Sequence, residues 1–145
     1  MRYELIKPSQ ASEVCGSLLE ENFKESGMPG FEFSLSEEVY KALDATPSFI
    51  IVAFDDEVVV GLCSVYVIPA THYNALVASN DTLYVSPAYR KTLVAGRLMA
   101  MAEREAKQRG ATLFQWAAGE GTPLDLALSK RSSYRLFQKI YLKEM

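Results

Sequence analysis

The sequence predicts an α/β fold: a three-layer α/β/α arrangement around a central mixed, mostly antiparallel sheet. Three observations predict it. The runs FIIVAF and VVVGLCSVYVI are β-branched and aromatic, and the acidic turn Asp55-Asp56-Glu57 joins them as a hairpin. After Pro87 the apolar period lengthens: Val94, Ala95, Leu98, Met99, Met101, Ala102 and Ala106 form one helical stripe. That stripe is followed by TLFQWA, which completes a late β-α-β unit, so antiparallel and parallel pairings share a sheet with helices on both faces.

The remaining elements follow in order. Arg2 to Ile6 reads as an opening strand. Ser9 is suited to cap a helix over about 10–24, with Ala11, Val14, Cys15, Leu18 and Leu19 on one face. SGMPGFEF is a loop, and Ser36 caps a short helix over 37–43, where Glu37 and Glu38 favour the positive end of the dipole. Pro69 ends the second hairpin strand, and ALVAS through DTLYV forms a third. The near-continuous apolarity of these strands predicts cover on both faces. Gly110 suits the residue after the long helix, and Arg104, Lys107 and Arg109 suit its negative end. Thr122-Pro123 opens another helix, running to about Arg131, and YRLFQKIYLK is expected to close the sheet as a last strand.

No linker, repeat or low-complexity stretch divides the 145 residues, so one domain over 1–145 is expected. Hydrophobic residues make up 49%, enough for a core and too many for a disordered chain. Fifteen Lys and Arg against eighteen Asp and Glu give a net charge of −3, which argues against a nucleic-acid partner. No apolar run approaches the roughly 20 residues of a membrane span, and MRYELIKPSQ lacks the apolar region of a secretory signal; a cytoplasmic location is expected. Cys15 and Cys63 lie in apolar contexts without metal-ligand spacing, and a single histidine, His72, excludes a multi-histidine site, so no metal is expected.

Chemistry concentrates in DTLYVSPAYRKTLVAGRLMAMAEREAKQRGA. A strand ending at Val85 delivers a helix N-terminus near Leu93, with Arg90, Lys91, Thr92 and Arg97 beside it. Free N–H groups and the positive dipole end make such a junction an anion site suited to phosphate. The alternative from spacing alone is a solvated loop and helix face.

Arg90-Lys91-Thr92-Leu93-Val94-Ala95 resembles the R/Q-x-x-G-x-G/A loop of the GCN5-related N-acetyltransferases (GNAT), with Leu93 where the family usually has glycine. The longer string, through Gly96, Arg97 and Leu98, is similar to the variant in bacteriophage-encoded members. FIIVAFDDEVVVGLCSVYV, with Gly61, resembles the family's central hairpin, and Thr122-Pro123 through Ser133-Tyr134 resembles its motif B.

The resemblance implies acetyl-CoA as co-substrate, its pyrophosphate held by residues 90–97 and its pantetheine arm met by Thr122. It implies direct attack on the thioester by an amine of a small molecule or a protein. The backbone of the central strand, Leu83-Tyr84-Val85, would hold the developing oxyanion. Ser129 stands at the position of the frequent catalytic tyrosine, so either another group supplies the proton or the thiolate leaves unaided into solvent. Asp81 at the strand entry, His72 in the preceding loop and Tyr84 are the catalytic candidates, with Tyr89 and Tyr134 nearby in sequence. Trp116 reads as core. Glu32, Asp55, Asp56 and Glu120 read as solvated turns able to lend negative potential to a site mouth. The alternative function is a catalytically weak module of the same fold that binds CoA or a host protein. A homodimer through edge strands near Tyr134 to Leu142 is a further expectation.

Overall fold

The structure, a computed structural model, describes residues 1–145. In chain order the elements are β1 (Arg2–Ile6), α1 (Ala11–Ser26), α2 (Glu37–Leu43), β2 (Phe49–Asp55), β3 (Val58–Pro69), β4 (Leu76–Val85), α3 (Val94–Gln108), β5 (Ala111–Gln115) and α4 (Pro123–Ser129). The strands form one sheet in the order β1-β2-β3-β4-β5, antiparallel except for the β4–β5 pair.

β2 explains the layering. Six of its residues, Phe49 through Phe54, are buried, and they alternate between two helical covers. Phe49, Ile51 and Ala53 join Leu98 and Ala102 of α3; Ile50, Val52 and Phe54 join Leu18 and Leu19 of α1. The apolar run thus marks a strand buried on both faces, as its composition predicts. Where α3 crosses β3, a side chain at Gly61 would meet Leu98 Cδ1 at 3.2 Å and Val94 Cγ1 at 3.3 Å. The glycine lets the start of the helix lie directly on the sheet.

Capping chemistry sets three of the helix ends. The Ser36 and Thr122 hydroxyls accept from the N–H of Val39 and Asp125, and Gly110 takes φ 98° after α3. Ser9 does not cap α1. A single 3-10 turn, Pro8–Gln10, precedes the helix, and the Ser9 N–H instead donates to Asp44 Oδ1 at 3.0 Å.

The predicted sixth strand is absent. Residues 135–145 form no helix or strand, and Leu136, Phe137, Ile140, Tyr141 and Leu142 are 71–88% exposed. Strand propensity describes how a residue fits a pleated surface, and within one chain this segment has no surface to fit. Trp116 is half-buried against the core rather than inside it, stacked on Phe114 and donating through Nε1 to Glu103 at 2.9 Å. No helix is long and apolar enough to cross a membrane.

β4 and β5 pair only from Leu76↔Ala111 to Ser79↔Gln115 and then part. The Asn80 side chain spans the divergence: Nδ2 donates to Ala117 O at 3.1 Å, and Oδ1 accepts from the Ala117 N–H at 2.6 Å. Asn80→Ala should therefore lower stability by roughly 1–3 kcal/mol, because it orphans a backbone donor and acceptor together. Urea unfolding measures this, and a loss near zero would show that the clamp does not hold the strands.

Burial pushes the Cys15 and Cys63 thiols from the usual 9.0 up to about 12. The unfolded chain ionises them near pH 9 while the folded chain keeps both protons. Unfolding then releases protons above that pH, so stability should fall from about pH 9 toward pH 12. The urea midpoint is expected to be lower at about pH 10.5 than at about pH 8; an unchanged midpoint would contradict the thiols' burial.

Candidate active site

The site begins with a break in strand register. Ser64 faces Thr82, but Val65 faces Asn80, so Asp81 is an extra residue in β4. The bulge turns Asp81 onto the α1–α2 face, where its Oδ2 accepts from Ser64 Oγ at 3.1 Å and Thr82 Oγ1 at 3.4 Å. Tyr66 and Tyr40 lie beside it. Burial, then the Asp81 carboxylate, raises the Tyr66 hydroxyl, and the same two causes push Tyr40 up to about 12. Asp81 itself is exposed, with both tyrosines neutral around it.

The strand edge comes next. The Ser86 N–H donates to Val60 O across β3, so the two-residue period aims the backbone groups of Leu83 and Val85 the other way. That edge faces the gap opened after Ser79, where β5 no longer pairs. The Val85 carbonyl is taken by Arg90 Nε at 2.8 Å. The Leu83 and Val85 N–H groups are left facing the gap.

At the end of the gap stands the start of α3. The N–H groups of Lys91, Leu93, Ala95 and Gly96 have no protein acceptor, whereas Val94 N–H reaches Thr92 Oγ1 at 3.3 Å. Leu93 has φ −80°, accessible to any residue, and its side chain is 74% exposed. Leucine in place of glycine thus costs the loop nothing in conformation. A side chain built on Gly96 meets nothing within 4 Å, so the surface above these amides is open. Lys91 and Arg97 are exposed and paired with no carboxylate.

Two other loop residues are committed within the protein. Arg90 Nη2 donates to Glu25 of α1 at 2.8 Å, and its guanidinium lies 5.3 Å from the Tyr84 ring; the bond to Glu25 raises its pKa. The Tyr89 hydroxyl donates to Asp55 Oδ2 at 2.6 Å. Arg90 is thereby a brace for the loop, with only Nη1 left over, rather than the free cation its spacing suggested.

The catalytic candidates separate. Asp81 and the Leu83–Val85 edge lie within one short stretch of β4. Tyr84 is buried on the α1 face and donates to Glu21 Oε2 at 3.2 Å, turned from the gap; burial raises its pKa first, then Glu25. His72 is exposed in the turn before β4. Leu76 alone stands five residues from Asp81, about 16 Å at ~3.3 Å per residue, so the structure does not bring His72 to the bulge. Thr122 caps α4, with Oγ1 also donating to Gly119 O at 2.7 Å. Ser129 Oγ donates to Leu126 O, and the Tyr134 hydroxyl donates to Glu103.

Sequence reasoning missed Asn80, Ser64, Tyr66 and Tyr40. The signal for the bulge was present as the polar run Ser79-Asn80-Asp81-Thr82 in the middle of a strand otherwise too apolar to alternate.

With this geometry in place, comparison with known proteins is specific. No curated protein sequence matches the chain. Among solved structures, the chain is similar to an aminoglycoside acetyltransferase, meta-AAC0020, from an uncultured soil metagenomic sample: 17% identity, TM-score 0.78, covering 99% of this chain and 95% of that one. It is similar to aminoglycoside N-acetyltransferase AAC(6')-Iy in complex with CoA: 11% identity, TM-score 0.71, with 99% and 98% covered. It is also similar to a ribosomal-protein-alanine N-acetyltransferase from Brucella melitensis biovar Abortus 2308: 16% identity, TM-score 0.73, with 99% and 98% covered. At these identities the likeness establishes the fold. The sequence model of the acetyltransferase (GNAT) family matches residues 16–125, which span the hairpin, the bulged strand, the amide-rich loop and α3, and the chain belongs to that family.

Proposed function

We propose that this protein transfers the acetyl group of acetyl-CoA to a primary amine of a cationic small molecule. The observation that carries the reading is the run of four unpartnered N–H groups at the start of α3, opening onto the unpaired edge of β4. Four free donors within six residues, with the Lys91 and Arg97 side chains among them, suit a diphosphate. Acetyl-CoA, when bound, would supply a thioester whose acyl carbon accepts the amine's electron pair as the C–S bond breaks, with CoA leaving as a thiolate that takes its proton from solvent.

The chain's own residues do the rest. Amides 91, 93, 95 and 96 with Lys91 and Arg97 hold the pyrophosphate, and Thr92, Val94 and Thr122 shape its surroundings. The gap between β4 and β5 admits the pantetheine. The Leu83 and Val85 N–H groups donate to the negative charge that develops on the acyl oxygen. Asp81, re-aimed by the bulge and exposed on the opposite face, accepts a proton from the incoming ammonium directly or through water. Tyr66, held neutral, is placed to hydrogen-bond the acceptor beside it.

The acceptor class is argued from charge and from relatives. Residues 1–129 carry seventeen Asp and Glu against ten Lys and Arg, which attracts polycations. Two of the similar structures are aminoglycoside acetyltransferases, while the third acts on a protein's alanine. The direct test is thiol release from acetyl-CoA across a panel of aminoglycosides, polyamines and peptides. Coenzyme binding without transfer to any of them would leave a binding module.

Asp81→Asn probes the chemistry, and three further variants probe coenzyme binding. Asp81→Asn should lower kcat by about 100-fold or more while leaving coenzyme affinity within about twofold, since a general base contributes ~100–10,000-fold. A loss under tenfold would remove Asp81 from the chemistry. Arg97→Ala should weaken CoA about tenfold or more, at ~1.5–3 kcal/mol for a charged hydrogen bond, and Lys107→Ala, several turns away, should not. Gly96→Ala should leave the fold as stable or slightly firmer by roughly 0.5–1 kcal/mol, since a Cβ there meets nothing within 4 Å, yet weaken CoA, because a helical Cβ tilts toward the N-terminus where the free amides are. Isothermal titration and thermal melts read both, and equal CoA affinity in all three variants would place the diphosphate elsewhere.

A further inference from the structure

The geometry points to a second small-molecule site, at the far end of the sheet from the free amides, that takes a free amino acid with an aliphatic side chain. A cavity of about 420 Å³ stands there. Its walls are the end of β1, the turn Pro8–Gln10, the segment 44–48 leading into β2, and Arg109 just past α3. The volume falls within the roughly 300–1,000 Å³ of small-ligand sites. α3 has 15 residues, so at ~1.5 Å each about 22 Å of helix separates Arg109 from the amides at its start. No residue given a part in acetyl transfer borders the cavity.

Arg109 is the rigid part of the site. Its Nε donates to Glu105 Oε1 at 2.7 Å, and its Nη1 donates to Pro47 O at 3.1 Å and Ser48 O at 3.4 Å. The guanidinium also lies 4.8 Å from the centre of the Phe49 ring. Held on three acceptors and an aromatic face, it keeps Nη2 without a protein acceptor on the cavity wall. A planar donor already fixed in place meets a carboxylate with little further ordering. Glu105 balances its charge, so what Arg109 offers is a directed hydrogen bond.

The remaining charges on the wall are one of each sign. Lys7 is exposed and in no ion pair, and the Asp44 carboxylate pairs with no cation. Hydrogen bonding from Ser9, whose N–H lies 3.0 Å from Asp44 Oδ1, holds that carboxyl below its ordinary value, and Lys7 lowers it further. Asp44 is therefore charged at neutral pH. Lys7 and Asp44 sense each other across the cavity without closing on each other, which leaves room for a ligand between them. Lys7 and Arg109 Nη2 suit a carboxylate, and Asp44 suits an ammonium, the two ends of a zwitterion. Leu5 and Ile6 supply the apolar part of the wall, and an aliphatic side chain fits that surface. A phosphate or other dianion would meet Asp44 unpaired, so the same groups select against it.

The test titrates the full chain, without coenzyme, and follows its amide 1H–15N spectrum. The probes are L-leucine, 4-methylpentanoate, which lacks the ammonium, and 3-methylbutylamine, which lacks the carboxylate. L-leucine should shift residues 5–10, 44–48 and 109, and each analogue should bind about tenfold or more weakly. Lys7→Gln and Asp44→Asn, both at exposed positions, should keep the wild-type far-UV circular dichroism and each weaken L-leucine about tenfold or more. Asparagine at 44 retains an oxygen for the Ser9 N–H. Asp81→Asn should leave L-leucine affinity within about twofold. No shift at up to about 20 mM L-leucine overturns the proposal, as does an analogue that binds equally well. Wild-type affinity in both Lys7→Gln and Asp44→Asn also overturns it. Shifts confined to residues 80–97 and abolished by Asp81→Asn would place the amino acid on the acceptor face instead, and that too overturns it. Acetyl transfer enters none of these readouts, so the site stands or falls apart from the proposed reaction.

Discussion

The structure depends on two neighbouring strands that are prevented from pairing along their full length. β4 and β5 run together for four residues and are then held apart by paired devices at Asn80 and Asp81. The Asn80 amide substitutes for the next rung of the ladder, taking both a donor and an acceptor of Ala117, so β5 can leave without an orphaned backbone group. The bulge at Asp81 re-aims the remaining strand and puts a carboxylate on the face opposite the gap. Without the divergence the N–H groups of Leu83 and Val85 would be spent on β5, and nothing on that edge could meet a ligand.

The same constraint gives β4 two unlike surroundings. On one side the gap ends at the cationic, donor-rich start of α3; on the other, Asp81 lies among Ser64, Tyr66 and Tyr40. The strand itself is the partition, and its backbone is bare toward the gap. Gly61 contributes from behind. By admitting Val94 and Leu98 within 3.3 Å of where a Cβ would stand, it fixes how close the first turn of α3 approaches the sheet.

How much of this was legible in the sequence differs by scale. The hairpin, the stripe of α3 and the Thr122-Pro123 start are local patterns, and each folds as its composition dictates. The cluster of free amides was legible as a strand-to-helix junction, because unpaired N–H groups at a helix start follow from backbone geometry whatever the side chains. Leu93 looked like an obstacle because glycine is usual there, yet a φ of −80° makes no demand for glycine. What could not be read were features set by partners distant in sequence. Arg90 meets Glu25 of α1, Tyr84 meets Glu21, and Tyr66 faces Asp81 only because register places them so. The expectation of a closing strand over 134–143 fails because strand propensity says how residues fit a pleated surface, not whether the chain brings them to one.

Arg90 shows why a motif residue need not be a ligand. Its ion pair with Glu25 is nearly half exposed on both sides and contributes about 0–1 kcal/mol by itself. Its bond to the Val85 carbonyl is different in kind. Val85 is buried, its carbonyl faces the side where β5 is missing, and a buried acceptor left unmade costs roughly 1–3 kcal/mol. The arginine therefore supplies, from the loop, the hydrogen bond that the divergence takes away. Fixing Nε on Val85 and Nη2 on Glu25 also fixes the path of residues 91–93, and with it the direction in which their amides point. The loop's first cation acts on the amides through the backbone it holds, and Lys91 and Arg97 are the loop cations left without a carboxylate partner.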